Sequence, residues 1–440
     1  MSGKPIAYIA SLLGCSLVAA WTLPLAAQQP TPAARQLARE TTADLIEEED
    51  APEDFNVYPA TAMQPAPAAP AMSTRGAAAA PSRSSARPAM NRLASAPDMF
   101  GDFFMSGGNL NFGRAQGVPG AETFGSFTVP SAGGSRRVKI AENNKAMPSD
   151  RLIFSYSHFE NALQYTETPL ANPAAGVTRS VPIDRYTIGI EKMFLDGLWS
   201  CEVRMPFQGQ FDFQSAAVVG DGGQVGNLAV ILKRLLVEDE DFAVVVGMGI
   251  DVPTGSDFKF DDRSTTPLNP TRFTFHNDSL HLLPYTGFLF AGDERPYFIN
   301  AFAQVDVATN GNRVEAGRVN GPSRILGTYT EQNLMFLDLG SGWWLYRDGG
   351  GTLTNLAALL EFHYTTSLQD TDAIAATVGG RPIDYRNNFN RFDIVNLTTG
   401  VQARLWDNTS VRVAGVFPLG SRDDQRFFDS ELQVQINRQF

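Results

Sequence analysis

The chain has 440 residues, of which 35 are basic and 47 acidic, and its formal net charge is -12 at pH 7. This acidic balance disfavours nucleic acid as a partner, because phosphate binding requires a basic surface. Charged residues make up only 19% of the chain, whereas 39 glycines, 27 prolines and 30 phenylalanines are present. Such a composition argues against a helical enzyme and against a wholly disordered chain.

The first residues have the features of an export signal. Lys4 supplies the positive end, residues 6–20 form an apolar stretch, and Leu25-Ala26-Ala27 is a small-residue cleavage site. We therefore predict a signal peptide over residues 1–27 and export of the protein from the cytoplasm.

Two further observations concern the cysteines and the membrane. Leu12-Leu13-Gly14-Cys15 resembles a lipoprotein cleavage box, so a lipidated Cys15 is an alternative to cleavage after residue 27. With cleavage after residue 27 only Cys201 remains, and no intrachain disulfide framework is expected. Beyond the signal no apolar run reaches the ~18 residues that a spanning helix needs, so a water-soluble exported domain and a membrane barrel remain as alternatives.

Two segments of biased composition follow the signal peptide. Residues 28–97 are rich in alanine and proline and cannot pack a core, which predicts a disordered periplasmic tether. Residues 98–150 contain phenylalanines separated by glycines, without a clear strand or helix period. We interpret residues 98–150 as a linker or as a plug.

From residue 151 the sequence alternates between apolar and polar residues, as strands with two different faces do. In the stretch 198–208, for example, Trp199 and Val203 fall on one face and Glu202 and Arg204 on the other. Twelve such stretches predict twelve strands, at 151–159, 184–194, 198–208, 226–236, 241–252, 279–290, 296–307, 333–345, 354–366, 392–405, 409–417 and 428–440.

Alternation alone is also typical of a soluble sandwich, but the connections between the predicted strands favour a barrel. Six long loops alternate with five short turns, such as Asp196-Gly197 and Asp407-Asn408. An even number of antiparallel strands with turns on one rim and loops on the other is the plan of an outer-membrane barrel. The predicted fold is therefore all-β, an antiparallel transmembrane β-barrel of about 12 strands over residues 151–440.

The chain end supports this fold. Phe440 is the last residue and closes an alternating row, which resembles the insertion signal of bacterial outer-membrane barrels and predicts contact with the barrel-assembly machinery. Arg438 departs from the apolar pattern of that signal, but near the rim it could reach the interface. The full row consists of Phe428, Ser430, Leu432, Val434, Ile436, Arg438 and Phe440.

In such a barrel the apolar rows face lipid and the polar rows face the lumen. Aromatic residues near the interfaces are expected at Trp199, Tyr297, Trp343 and Tyr364. Two interpretations of the lumen charges stay open: they pair across a narrow barrel and hold it shut, or they line a pore that filters solutes by size and charge. The candidate lumen-facing residues are Arg185, Glu191, Glu202, Arg204, Asp251, Asp306, Asp338, Glu361, Arg404 and Arg412.

Short motifs in the middle of the predicted barrel resemble a known family. They are Gly226-Asn227-Leu228, Ile231-Leu232-Lys233-Arg234, and the run from Gly247 to Asp257 with its Pro253-Thr254-Gly255 element. The closing residues 417–440 and the segment 139–159 are similar to the same family, which is an outer-membrane barrel family catalogued with the meta-cleavage pathway of phenol degradation and has relatives labelled transporters. The resemblance implies an outer-membrane barrel more firmly than any substrate.

We also considered catalysis, because a barrel of twelve strands can be a lipase. Ser279 and His281 lie two residues apart on one predicted face and are the best candidates for nucleophilic chemistry. A junction between a loop and a strand is the stronger explanation, so we predict that the protein is not an enzyme. The four histidines form no cluster with metal-ligand spacing, and neither a metal nor another cofactor is expected.

The sequence therefore predicts an outer-membrane barrel that acts as a passive channel or uptake protein for small molecules, including hydrophobic ones. Its expected partners are outer-membrane lipid, the barrel-assembly machinery and small solutes, with no nucleic acid. Two alternatives remain: a non-conducting structural barrel that anchors a periplasmic segment, and a barrel lipid hydrolase.

Overall fold

A computed structural model of the chain describes residues 93–113, 124–131, 137–167, 176–209, 218–220, 224–263, 270–292, 295–347, 351–406, 408–421 and 425–440. The predicted signal peptide and most of the predicted tether lie outside these ranges. Within the described residues, no helix has the length and apolar character needed to cross a bilayer.

The described residues form a closed antiparallel barrel of twelve strands, which confirms the predicted fold. Each strand pairs with its neighbours along the chain, and the last pairs with the first in a continuous register from Ser430 opposite Glu160 to Gln439 opposite Arg151. Closure removes the unpaired edges that a bilayer cannot satisfy. Strands β1 to β12 are, in order, Arg151–Glu167, Val177–Phe194, Trp199–Gln208, Leu228–Glu238, Phe242–Val252, His281–Phe290, Tyr297–Ala308, Leu334–Tyr346, Leu353–Ser367, Asp393–Leu405, Thr409–Pro418 and Ser430–Gln439.

Short turns lie at one end of the barrel, called here the turn rim, and long loops at the other, called the loop rim. The turn between β2 and β3 covers residues 195–198, whereas the connection between β5 and β6 covers residues 253–280. The largest difference from the predicted boundaries is at the loop rim, where β1 continues to Glu167 and β2 begins at Val177. Both extensions pass a bulge between Phe159 and Leu163, which interrupts the alternation on which the predicted boundaries depended.

The outer and inner surfaces of the barrel have the polarity of a membrane protein. Leu152, Ile188 and Leu339 are about half exposed on the outside, while Lys233 and Arg412 are buried inside. A soluble protein shows the opposite arrangement. Aromatic pairs near the turn rim, Tyr297 with Trp343 among them at 6.2 Å between ring centroids, occupy the level expected for an interfacial girdle.

The terminal strand follows the predicted outward row from Leu432 to Phe440, and Arg438 is exposed on that row near the turn rim. Phe428 differs, because it precedes the strand and is buried at the loop rim, where its ring packs on Phe159. Hydrophobic side chains at a loop rim can bury each other above the bilayer. Alternation in the sequence therefore does not show where the outward-facing row of a strand ends at that rim.

The interior of the barrel is occupied by residues 93–113 and 137–150, called here the lumen segment. Its two passes run antiparallel, with a hydrogen bond of 2.7 Å from the Met99 N–H to the Asn144 carbonyl. Gly101 allows their close approach, since its φ is +83° and a Cβ there would lie 2.6 Å from the Cα of Glu142. The segment thus passes through the barrel towards the loop rim and returns.

At the loop rim the two passes are joined to the barrel by a sheet. The strands Gly108–Phe112 and Phe124–Val129 form an antiparallel pair that lies between β1 and the hairpin Ala373–Val378 and Arg381–Arg386. A separate sheet has five strands in the spatial order Ser323–Tyr329, Asn312–Arg318, Thr271–Phe275, Phe258–Asp262 and Val218–Gly220.

These two sheets share one hydrophobic core with the end of the lumen that lies at the loop rim. The rings of Phe127 and Phe260 pack in a tilted arrangement with 4.8 Å between centroids, and Tyr385 contacts both Phe275 and Tyr329. Four phenylalanines of the predicted linker or plug, Phe103, Phe104, Phe112 and Phe127, are therefore buried in this core, together with aromatic residues from the long loops.

Candidate functional site

The structure brings the predicted lumen residues together inside one barrel. All ten lie on barrel strands, and their part in solute passage stays a prediction. Nine have at most 4% of their surface exposed and Arg404 is half-buried. Five of them belong to three groups of charges, which follow one another from the turn rim to the loop rim: Glu191, Glu202, Asp306, Asp338 and Glu361.

The turn-side cluster consists of Asp98, Arg151, Glu191, Glu202 and Lys233. Arg151 at the start of β1 contacts Glu191 of β2 at 2.7 Å and Glu202 of β3 at 3.3 Å. Lys233 contacts Glu191 at 2.9 Å. Asp98 of the lumen segment joins the cluster through Arg151 at 3.2 Å. Most of these contacts join one wall strand to another, and Asp98 connects the segment to them.

The central cluster consists of Asp102, Lys139, Asp338, Glu361 and His363. Lys139 of the lumen segment lies between Asp102 and Asp338, and its ammonium is 2.6 Å from the latter. His363 contacts Asp338 at 2.8 Å through Nδ1 and Glu361 at 3.2 Å through Nε2. In this cluster Asp338 pairs both with Lys139 of the lumen segment and with His363 of the neighbouring wall strand.

The same cluster brings metal-binding residue types together, which the histidine spacing did not predict. Ligand atoms of Asp102, Asp338 and His363 lie within 4.8 Å of one another. The Lys139 ammonium contacts both carboxylates, so it already supplies the positive charge that a metal ion would bring. The geometry is that of a buried ion-pair network.

The loop-side cluster consists of Arg137, His281, Asp306 and Glu331. Arg137 of the lumen segment contacts Asp306 at 2.6 Å and Glu331 at 3.2 Å. The Nδ1 atom of His281 lies 2.6 Å from a carboxylate oxygen of the same Asp306. The candidate nucleophile Ser279 is fully buried and its hydroxyl donates to the Asn310 carbonyl at 2.7 Å. Ser279 and His281 thus make contacts at the junction between a loop and β6, and the absence of an enzymatic activity stays a prediction.

Wall side chains also hold the backbone of the lumen segment. The Glu361 carboxylate accepts from the N–H groups of Phe100 and Gly101, at 2.9 and 3.3 Å. Gln435 donates to the Phe100 carbonyl at 2.9 Å, and Arg412 donates to the Met99 carbonyl at 2.9 Å. These contacts come from β9, β11 and β12, so the wall satisfies backbone groups that a lumen filled with water would otherwise solvate.

Sequence reasoning missed the charges of the lumen segment, namely Asp98, Asp102, Arg137, Lys139 and Glu142. One signal was available, because the chain has only six lysines. Three of them, Lys139, Lys145 and Lys233, are buried in the lumen. A lysine inside a segment otherwise rich in glycine and phenylalanine indicates a buried carboxylate partner.

No family model and no curated protein matches the chain, so the family resemblance stays a prediction. The solved structures that it resembles include an outer membrane channel from Pseudomonas putida F1, with 11% identity, a TM-score of 0.44, and coverage of 67% of this chain and 97% of that one. The beta domain of the Bordetella autotransporter Brka has 13% identity and a TM-score of 0.38, with 67% and 100% covered. The Pseudomonas putida toluene transporter TodX has 8% identity and a TM-score of 0.33, with 66% and 87% covered. These values are too low to assign a function, which is therefore argued from the lumen.

Proposed function

We propose that the protein is a bacterial outer-membrane channel for passive uptake of small molecules, and that its lumen segment closes the channel at rest. One observation carries the proposal: the inner wall of the twelve-stranded barrel is charged, and much of that charge contacts the lumen segment, which is not part of the wall. Such a wall remains compatible with water when the segment moves, because every charged group on it can then be solvated.

The size of the barrel supports this function. Twelve strands enclose a wider lumen than eight strands, which leave room for little more than side chains. Here the additional space is filled by two passes of backbone with their side chains. Displacing them would therefore open a polar passage narrower than that of a 16-stranded porin, and a modest conductance is expected.

The first test is single-channel recording in planar bilayers, with full-length mature protein and a variant that lacks residues 28–149. The deletion removes both passes of the lumen segment and keeps β1 intact. We expect rare openings for the full-length protein and persistent current steps for the variant. A variant that folds, as judged by its heat-dependent shift on gels, but conducts no current would contradict the proposal and favour a structural barrel that anchors the preceding segment.

A second test fixes the segment instead of removing it. Asn111 of the lumen segment lies directly opposite Asp384 of a loop hairpin, so Asn111→Cys with Asp384→Cys can form a cross-strand disulfide. The matched control is Ala375→Cys with Asp384→Cys, which joins the two strands of the loop hairpin only. Both pairs are made with Cys201→Ala.

If the segment must leave the rim sheet for the channel to open, oxidation of the first pair abolishes openings and a reductant restores them. The control pair opens in both redox states. Equal opening of the oxidised and reduced first pair would show that the segment need not separate from the hairpin for conduction, and would contradict this opening motion.

A further inference from the structure

The charges on the inner wall are divided unevenly around the barrel. Strands β5 to β9 form one arc of the wall, called here the acidic arc, and their sequences contain no lysine and no arginine. The carboxylates of this arc are buried and belong to inward-facing side chains, with two buried histidines beside them. The six residues are Asp251, Asp306, Asp338 and Glu361 with His281 and His363.

The other seven strands form a basic arc. They are β10, β11 and β12 followed by β1 to β4, and they are contiguous because β12 pairs with β1. Cations outnumber carboxylates two to one among the described inward-facing residues of this arc. The cations are Arg151, Arg185, Arg204, Lys233, Arg404 and Arg412, and the carboxylates are Glu191, Glu202 and Glu431. The two arcs therefore carry net charges of opposite sign.

The lumen segment places its own charges according to this division. Arg137 contacts Asp306 of the acidic arc at 2.6 Å. Asp98 contacts two arginines of the basic arc, Arg151 at 3.2 Å and Arg412 at 3.5 Å. A cation of the segment thus lies against the acidic arc and a carboxylate of the segment against the basic arc.

One turn of the segment connects the two arcs directly. The Lys139 ammonium lies 2.6 Å from Asp338 on β8, and the Glu142 carboxylate lies 2.5 Å from Arg185 on β2. The two residues belong to a single turn, in which the Glu142 N–H donates to the Lys139 carbonyl at 3.1 Å. Strands β8 and β2 are six positions apart in a barrel of twelve, so they lie on opposite sides of the lumen. An ammonium and a carboxylate on one short piece of chain thus bridge the lumen.

We propose that the open channel favours small zwitterions of the amino-acid type, which pass with the ammonium towards the acidic arc and the carboxylate towards the basic arc. The proposal rests on the proposed channel function, because the arcs face each other across water only when the segment has left. Charged walls of low dielectric constant focus the field between them. A zwitterion is attracted by both arcs, a simple ion is attracted by one and repelled by the other, and a neutral molecule is attracted by neither.

The test compares the entry of γ-aminobutyrate and of its neutral isomer γ-hydroxybutyramide into liposomes that contain the full-length mature protein. The two molecules have the same atoms and nearly the same size, so they differ in charge distribution. Entry is measured from the rate of liposome swelling, after subtraction of the rate for liposomes without protein. The ratio of the two rates does not depend on how often the channel opens. We expect the zwitterion to enter at least twofold faster.

Two paired substitutions remove charge from one arc each. Lys139→Met with Asp338→Asn acts on the acidic arc, and Glu142→Gln with Arg185→Gln acts on the basic arc. Each removes both members of an ion pair, which avoids leaving one charge of that pair buried alone. We expect the ratio of rates to fall towards one in both. The control Arg234→Gln removes an exposed, outward-facing cation of β4 and should leave the ratio unchanged. The heat-dependent gel shift checks that each variant is folded.

The outcomes separate this inference from the channel proposal. Equal entry of the two isomers through the unsubstituted protein, or an unchanged ratio in either folded paired variant, would overturn the preference for zwitterions and leave the channel standing. Entry of neither isomer would contradict the channel itself, and the inference would be overturned with it.

Discussion

Single side chains in the lumen combine full burial with full charge. Arg151, Glu191 and Lys233 each have at most 1% of their surface exposed. Removing one partner of a buried ion pair leaves the other uncompensated, which costs more than the pair contributes relative to an apolar replacement. The turn-side cluster should therefore be sensitive to single substitutions, in contrast to ion pairs on the surface.

We expect Lys233→Met to lower the free energy of unfolding by about 3 kcal/mol. Lys233 contacts Glu191 at 2.9 Å and also donates to Asn144 of the lumen segment at 2.8 Å. Urea unfolding in lipid vesicles, followed by tryptophan fluorescence, measures the change.

The matched control is Lys192→Met, one residue from Glu191 along β2. The Lys192 side chain is 60% exposed and contacts Asp150 at 2.8 Å, so its loss should cost about 1 kcal/mol or less. Equal effects of the two substitutions would show that a buried ion pair of the turn-side cluster contributes no more to the free energy of unfolding than an exposed one.

At the scale of strands, glycines on the inner wall are covered by aromatic rings from neighbouring strands. Gly247 on β5 faces Tyr285 on β6, Gly287 on β6 faces Phe302 on β7, and the same relation holds between β7 and β8. Rings that lie over glycines fill the space left by the missing side chains on the inner face, while the strand backbone stays regular. These pairs fix the register of four consecutive strands.

Gly342 on β8 makes the tightest of these contacts. A Cβ at this position would lie 1.9 Å from the ring of Phe298, its directly opposite partner. We expect Gly342→Ala to destabilise the barrel by about 1–3 kcal/mol through overpacking. The loss is measured as a decrease in the temperature at which the heat-dependent gel shift occurs, relative to the unsubstituted protein.

Phe298→Leu provides the second arm of a double-mutant cycle with Gly342→Ala. If the ring is the obstacle, the added methyl group costs less in the Phe298→Leu background, and the two effects are not additive. Strictly additive effects would mean that the alanine acts on the strand backbone and not on the ring.

For the whole molecule, long loops at one rim and short turns at the other predict orientation in the outer membrane. Outer-membrane barrels expose their long loops to the outside. A membrane-impermeant maleimide should therefore label Asn320→Cys, in an exposed turn at the loop rim, on intact cells. Glu240→Cys, in the turn between β4 and β5, should react only after the outer membrane is permeabilised. Both are made with Cys201→Ala, and the reverse labelling pattern would overturn the orientation.

The barrel could be predicted from the sequence because its signal is local. Alternation along each strand and the order of loop lengths can both be seen in the sequence itself, and all twelve predicted strands are found. The filling of the lumen could not be predicted in the same way. Lys139 and Asp338, or Glu142 and Arg185, are partners far apart in the chain, and no period in the sequence connects them.

The threading of the lumen segment has a consequence for the order of assembly. The segment precedes β1 in the chain, yet it contacts the final strands: Met99 accepts from Arg412, and Asn437 donates to Asp98 across 339 positions. Contacts between residues so distant in sequence form slowly. The lumen segment is synthesised before the barrel strands, and it cannot form these contacts until β11 and β12 are present. Filling of the lumen is therefore coupled to completion of the barrel by β11 and β12.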